Sequence, residues 1–197
     1  MSGAIFGLIG VIVGALLGLV RDALADRRAR GRHARYLAIR VVCVLDSYVE
    51  SCADVVSDDG LSEGQRNAEG YLEVQIPLPP PPVFSGDLDW KSIDHDLMYR
   101  LLSLPSDAER ADRRIDATWR VAFPPDFEEL FEERQLQYAK LGLTASALSR
   151  EIREKYHIAA QELGEWDPVA CLRDGKNQVE DERRKRYQRI SESPPLI

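Results

Sequence analysis

The sequence predicts an all-α protein: a single N-terminal transmembrane helix continuing into a cytoplasmic helix, followed by a small helical bundle crossed by one short extended, proline-rich arm. Three observations lead there. Residues 4–20, AIFGLIGVIVGALLGLV, hold no polar side chain. Apolar residues downstream recur at three- and four-residue spacing. Only residues 71–76, YLEVQI, alternate as a strand would, and a lone strand has nothing to pair with.

The charge pattern divides the chain further. Its 197 residues carry 26 Lys and Arg against 33 Asp and Glu, a net charge of −7. Residues 1–20 have no charged side chain, and residues 21–40 hold seven Arg against two Asp, so the remainder is strongly acidic. At 44% apolar and 30% charged, the composition excludes a wholly disordered or polytopic chain. The length leaves room for one modest core. The expected segments are a transmembrane helix over 1–20, a basic and amphipathic helix over 21–57, a loop, strand and proline arm over 58–86, a helical module over 87–190, and a disordered tail over 191–197.

As a helix, residues 4–20 rise about 26 Å, at the short end of what spans a bilayer core. Gly3, Gly7, Gly10, Gly14 and Gly18 fall within an arc of about 80°, a smooth stripe suited to close approach by another helix in lipid. Arg21, Arg27, Arg28, Arg30, Arg32, Arg35 and Arg40 follow within about 20 residues, so the positive-inside bias predicts a cytoplasmic C-terminal part. A secretory signal would carry its basic residues before the apolar run. The collar invites a nucleic-acid reading, but no aromatic residue interleaves it before Tyr36 and the rest of the chain is acidic. Anionic headgroups are the nearer partner for Arg21, Arg27, Arg28, Arg30, Arg32 and Arg35.

With no proline before Pro77, the helix is expected to run on to about Ser57. Leu37, Val41, Val44, Tyr48 and Val55, widened by Leu45, Val49, Cys52 and Val56, give it a face to pack on the downstream module. Residues 57–70 are polar and glycine-rich, a linker. Pro77, Pro79, Pro80, Pro81 and Pro82 predict a polyproline arm strapped over the protein's own helices.

Five helical stretches are then expected. Asp89 precedes Trp90, Ile93, Leu97, Leu101 and Leu104, with Pro105 as a stop. Ser106 and Glu109 make a capping box for a helix through Ala108, Ala111, Ile115, Trp119 and Ala122. Asp126 and Glu129 open one through Phe127, Leu130, Phe131, Tyr138 and Leu141, ended by Gly142. Thr144 caps a fourth with Leu148, Ile152 and Tyr156. Asp167-Pro168 begins a fifth, whose basic end (Arg183, Arg184, Lys185, Arg186, Arg189) reads as solvated and frayed. The predicted core draws on Trp90, Leu97, Leu101, Trp119, Phe127, Phe131, Leu148 and Ile152.

Chemistry is sparse. Cys43, Cys52 and Cys171 show no CxxC spacing, and Cys43 and Cys52 point to opposite sides of one helix. Asp94-His95-Asp96 resembles the doublet of a metal-dependent hydrolase, but only His33 and His157 remain to complete a site. Glu128, Glu129, Glu132 and Glu133 share a face and read as an acidic interaction surface. There is no phosphate loop and no zincin or hydrolase motif. The expectation is a membrane-anchored interaction or scaffold protein rather than an enzyme, without cofactor, metal, nucleic acid or small-molecule substrate. Its expected partners are the membrane and a second copy or another membrane protein. The alternatives are a membrane-tethered hydrolase using Asp94-His95-Asp96 and an exported envelope protein with its C-terminal part outside.

Overall fold

In a computed structural model, the backbone is described for residues 2–161, 164 and 166–192. The side chains of these are described except at 2–17, 19, 20, 23–26, 30, 190 and 192. The chain is all-helical: α1 (Ser2–Ser57), a short 3-10 turn (Trp90–Ser92), α2 (His95–Trp119), α3 (Glu128–Tyr156) and α4 (Pro168–Glu192). Among the described residues no strand forms, and residues 71–76 join no ladder.

α1 is unbroken over 56 residues, a rod of about 84 Å. Its described side chains from Gly18 to His33 are exposed or half-buried, so this part is a stalk. From Ala34 onward it joins the core: Leu37, Val41, Leu45, Tyr48, Val49, Cys52, Val55 and Val56 are buried, as their spacing predicts. Cys43 is exposed and Cys52 buried, on opposite sides as expected. No helix among the described residues is long and apolar enough to cross a membrane. The expected span at 4–20, with Gly3, Gly7, Gly10 and Gly14, falls almost wholly on positions outside the described side chains. Gly18 is exposed, and a Cβ there would meet nothing within 4 Å.

α3 lies at the centre and packs on α1, α2 and α4. Cross-helix pairs give the directions. Arg134 meets Asp58 while Arg153 meets Asp46, so α3 runs antiparallel to α1. Arg100 meets Glu151 and Tyr138 meets Asp112, so α2 is antiparallel to α3. Leu172 lies against Gly142, and Arg183 reaches Glu132 and Glu133, so α4 is also antiparallel to α3. The stalk therefore enters the module beside the start of α2, and the α1–loop junction sits at the opposite end.

Helix boundaries differ from expectation at several places: only a 3-10 turn forms after Asp89, α2 starts at His95 behind Asp94, and the helix expected from Ser106 is part of α2 and ends at Trp119. At Pro105, Gly142 and Thr144 packing overrides a local signal. Pro105 lies inside α2 rather than ending it. It removes one backbone donor, but Leu101, Leu104 and Ala108 are buried on either side and hold the helix through it. Ser106 is consequently mid-helix, not a cap. Gly142 and Thr144 lie within α3: Thr144 donates its hydroxyl to the Lys140 carbonyl at 2.9 Å, and Gly142 is buried where α1 and α4 converge. Finally α3 begins at Glu128 after Phe127 in a left-handed conformation (φ 48°), with no side-chain cap from Asp126. The Asp167 cap does form, its carboxylate accepting from Val169 N at 2.9 Å and Ala170 N at 3.2 Å.

Of the predicted core, Leu97, Leu101, Phe131, Leu148 and Ile152 are buried, and Trp90 and Phe127 pack at its edge. Trp119 does not join it: it is 56% exposed and stacks on Phe127 at 5.6 Å, at the far end of α2. The arm behaves as the strap the prolines predict, with Val74, Ile76, Leu78 and Phe84 against the core.

Candidate functional site

A buried ionic knot holds the strap. The side chains of Asp58 and Arg134 are 1% and 5% exposed and lie 3.2 Å apart. Asp58 also accepts from Gly60 N (3.0 Å), Gln75 N (3.1 Å) and Ile76 N (3.1 Å), while Arg134 donates to the Ile76 carbonyl at 2.6 Å. Burial pulls the Arg134 pKa down and Asp58 holds it up. With its acceptors committed to three backbone amides and one guanidinium, this carboxylate is architectural: it ties α1, the strap and α3 together. Nearby, Tyr138 donates to Asp112 at 2.7 Å, and burial raises the pKa of Tyr138, Tyr48 and the Cys52 thiol. Such groups stay neutral near pH 7 and are poor nucleophiles.

The histidine doublet resolves into a helix start. Asp94 is the N-cap of α2, accepting from Asp96 N at 3.0 Å and Leu97 N at 3.2 Å. The amide of Leu97 holds its carboxyl below the usual range. Asp96 pairs with Arg100 at 3.0 Å, and His95 is exposed. Among the described residues no group of three or more His, Cys, Asp or Glu is placed to hold a metal.

Three of the four acids, Glu128, Glu132 and Glu133, are not a free surface. Arg183 bonds Glu132 at 3.1 Å and Glu133 at 2.9 Å, and Arg186 bonds Glu128 at 2.6 Å and also Glu132. The basic end of α4, expected to be frayed, is therefore latched onto α3. Sequence reasoning treated the two charge blocks separately; their opposite signs were the available clue.

Two surfaces remain for interaction. The first is an open groove of about 940 Å³ between α2 and α3, lined by Met98, Leu102, Leu143 and Ala147, with Tyr99 71% and Leu102 47% exposed. The second is the arginine collar. Arg21, Arg27, Arg28, Arg32 and Arg35 are all exposed, and none has an ion pair among the described residues; the side chain of Arg30 is outside them. Farther along, Arg40, Arg100, Arg134, Arg153, Arg183 and Arg186 each meet an acid. Arg114, Arg120 and Arg173, exposed on the module, have no ion pair among the described residues, like those of the stalk.

Neither protein-family models, curated proteins nor solved structures give a match to this chain.

Proposed function

We propose that this chain is a single-pass membrane protein whose helical module, on the cytoplasmic side, serves as an interaction or scaffold unit. The observation that carries the reading is the continuity of α1 from Ser2 to Ser57. One helix joins the apolar stretch to the core of the module, so whatever holds residues 4–20 also holds the module. Eleven Ile, Leu, Val and Phe side chains in that stretch favour insertion by several kcal/mol before the glycines subtract. Arg21, Arg27, Arg28 and Arg30 follow within ten residues, where anionic headgroups attract each basic side chain by about 1 kcal/mol. The glycine stripe offers a seam to a second copy or another membrane helix, and the exposed Tyr99–Leu102 groove offers the module a docking surface.

Leucine at Gly10 and Gly14 together should cut association in a membrane two-hybrid assay several-fold, because side chains there hold the helices apart. An unchanged signal would remove the pairing. A reporter active only in the cytoplasm, fused after Ile197, should be active; silence would place the module outside.

A further inference from the structure

We propose that the groove between α2 and α3 docks an amphipathic helix of a cytoplasmic partner, apolar at one end and acidic at the other. This rests on the reading above, which places the module in the cytoplasm as an interaction unit, and it names the partner's chemistry. The groove extends beyond its apolar part. Through the shared residues Asp107, Arg110 and Thr144, the trough of about 940 Å³ runs on into a recess of about 300 Å³ lined by Arg114, Gln137 and Lys140. The antiparallel pairing of α2 and α3, with Arg100 on Glu151 and Asp112 on Tyr138, puts Leu102 and Ala147 towards one end and Arg114 and Gln137 at the other. From Tyr99 to Arg114 is about 22 Å, or four turns of helix.

The two ends differ in chemistry. At the first, Met98, Leu102, Leu143 and Ala147 line the wall and Tyr99 stands exposed, while Arg100 is already spent on Asp96 and Glu151. At the second, Arg114 and Lys140 are exposed with no ion pair among the described residues, and Arg110 is shared with Asp107. Glu133, one turn before Gln137, is taken by Arg183. Three cations thus line this end with one acid. Between the ends, Ser103 and Thr144 turn their hydroxyls onto the Tyr99 and Lys140 carbonyls of their own helices, at 2.7 and 2.9 Å. A helix lying close over them meets carbon rather than an unmatched donor.

Charge complementarity selects the occupant. Apolar side chains at three- and four-residue spacing cover Met98, Leu102 and Leu143, and acids about 8–12 residues along the same face reach Arg110, Arg114 and Lys140. A helix suits the site better than a strand, because the described residues offer no sheet edge to extend, whereas two antiparallel helices leave a seam that a third can fill. The trough is also open along its length, unlike the pockets that enclose most of a small ligand. A second copy is poorly matched. With both anchors in one bilayer, two copies docked groove to groove run parallel and set the basic end of one against the basic end of the other.

The test mixes the full chain with phosphatidylcholine vesicles and a fluorescent helical peptide of about 16 residues, with leucines on one face of its first half and three glutamates on that face of its second half. Anisotropy is read against chain-free vesicles and against the same peptide with lysine for glutamate. The glutamate peptide should bind about tenfold or more tightly than the lysine peptide, an advantage that shrinks as salt rises from about 0.05 to 0.5 M. In R114E/K140E the preference should reverse, which also shows that the variant is folded, and Leu102→Ala should weaken the glutamate peptide about fivefold. Equal binding of the two peptides, or a preference that R114E/K140E leaves in place, overturns the proposal. It falls too if neither peptide binds, whether the groove instead joins two copies, read as self-association lost in R114E/K140E, or holds anionic lipid, read as phosphatidylserine binding lost in that variant. Sedimentation with the vesicles is scored separately: a chain that binds the peptide but stays in the supernatant fails the anchor, and one that sediments but binds neither peptide fails the groove.

Discussion

Asp58 shows how much a single buried charge can be asked to organise. Its carboxylate serves the distant Arg134 guanidinium, the amides of Gln75 and Ile76 in the strap and that of nearby Gly60, and Gln135 also bonds its carbonyl at 3.2 Å. Removing one partner of such a pair strands the other in a low dielectric, at a cost of about 3–5 kcal/mol. Asp58→Ala is therefore expected to lower the unfolding free energy of the module by that amount, measured by urea titration of tryptophan fluorescence. A loss below about 1 kcal/mol would mean the strap is held by its apolar contacts instead. Asp58 was not visible as a key residue in the sequence, where it sits in an acidic, glycine-rich linker. Its role depends on Arg134, 76 residues away, and no local pattern encodes that pairing.

Two glycines in helices test how elements meet. At Gly142 an added Cβ would fall 2.6 Å from Leu172 Cδ1 and 2.9 Å from Cys52 Cβ, so α1 and α4 approach α3 over a position that admits no side chain. At Gly31, on the stalk, a Cβ meets nothing within 4 Å. Alanine normally favours a helix over glycine by about 1 kcal/mol. Gly31→Ala should thus slow amide exchange around residues 28–34 about fivefold, whereas Gly142→Ala should destabilise the module by about 1–3 kcal/mol through overpacking. Equal signs at the two positions would refute the packing described. The same contrast explains what the sequence could reveal of the elements. Helical periodicity from Leu37 to Val56 was readable because one long face is buried. Pro105, Gly142 and Thr144 misled as stops and caps because their local preference is outweighed by burial of Leu104, Ala108, Leu141 and Ala145 around them. The α3–α4 latch escaped notice because each charge block alone looks like a solvated surface.

For the whole molecule, the order of the charges matters more than their sum. An uncharged stretch, an exposed basic stalk and an acidic module lie in sequence along one helical axis, and the module spends many of its arginines on its own acids. The described stalk arginines make no such pairs among the described residues, and on the module Arg114, Arg120 and Arg173 make none either. The all-helical class and the collar were legible from composition and periodicity. The division of arginines into paired and unpaired depends on tertiary distances and needed the structure. Everything proposed about pairing and partner stands on residues 4–20 lying in a bilayer. The most direct test is alkaline carbonate extraction of cell membranes containing the full chain. The account predicts that the protein stays in the membrane pellet, as an integral span does; release into the supernatant would contradict it.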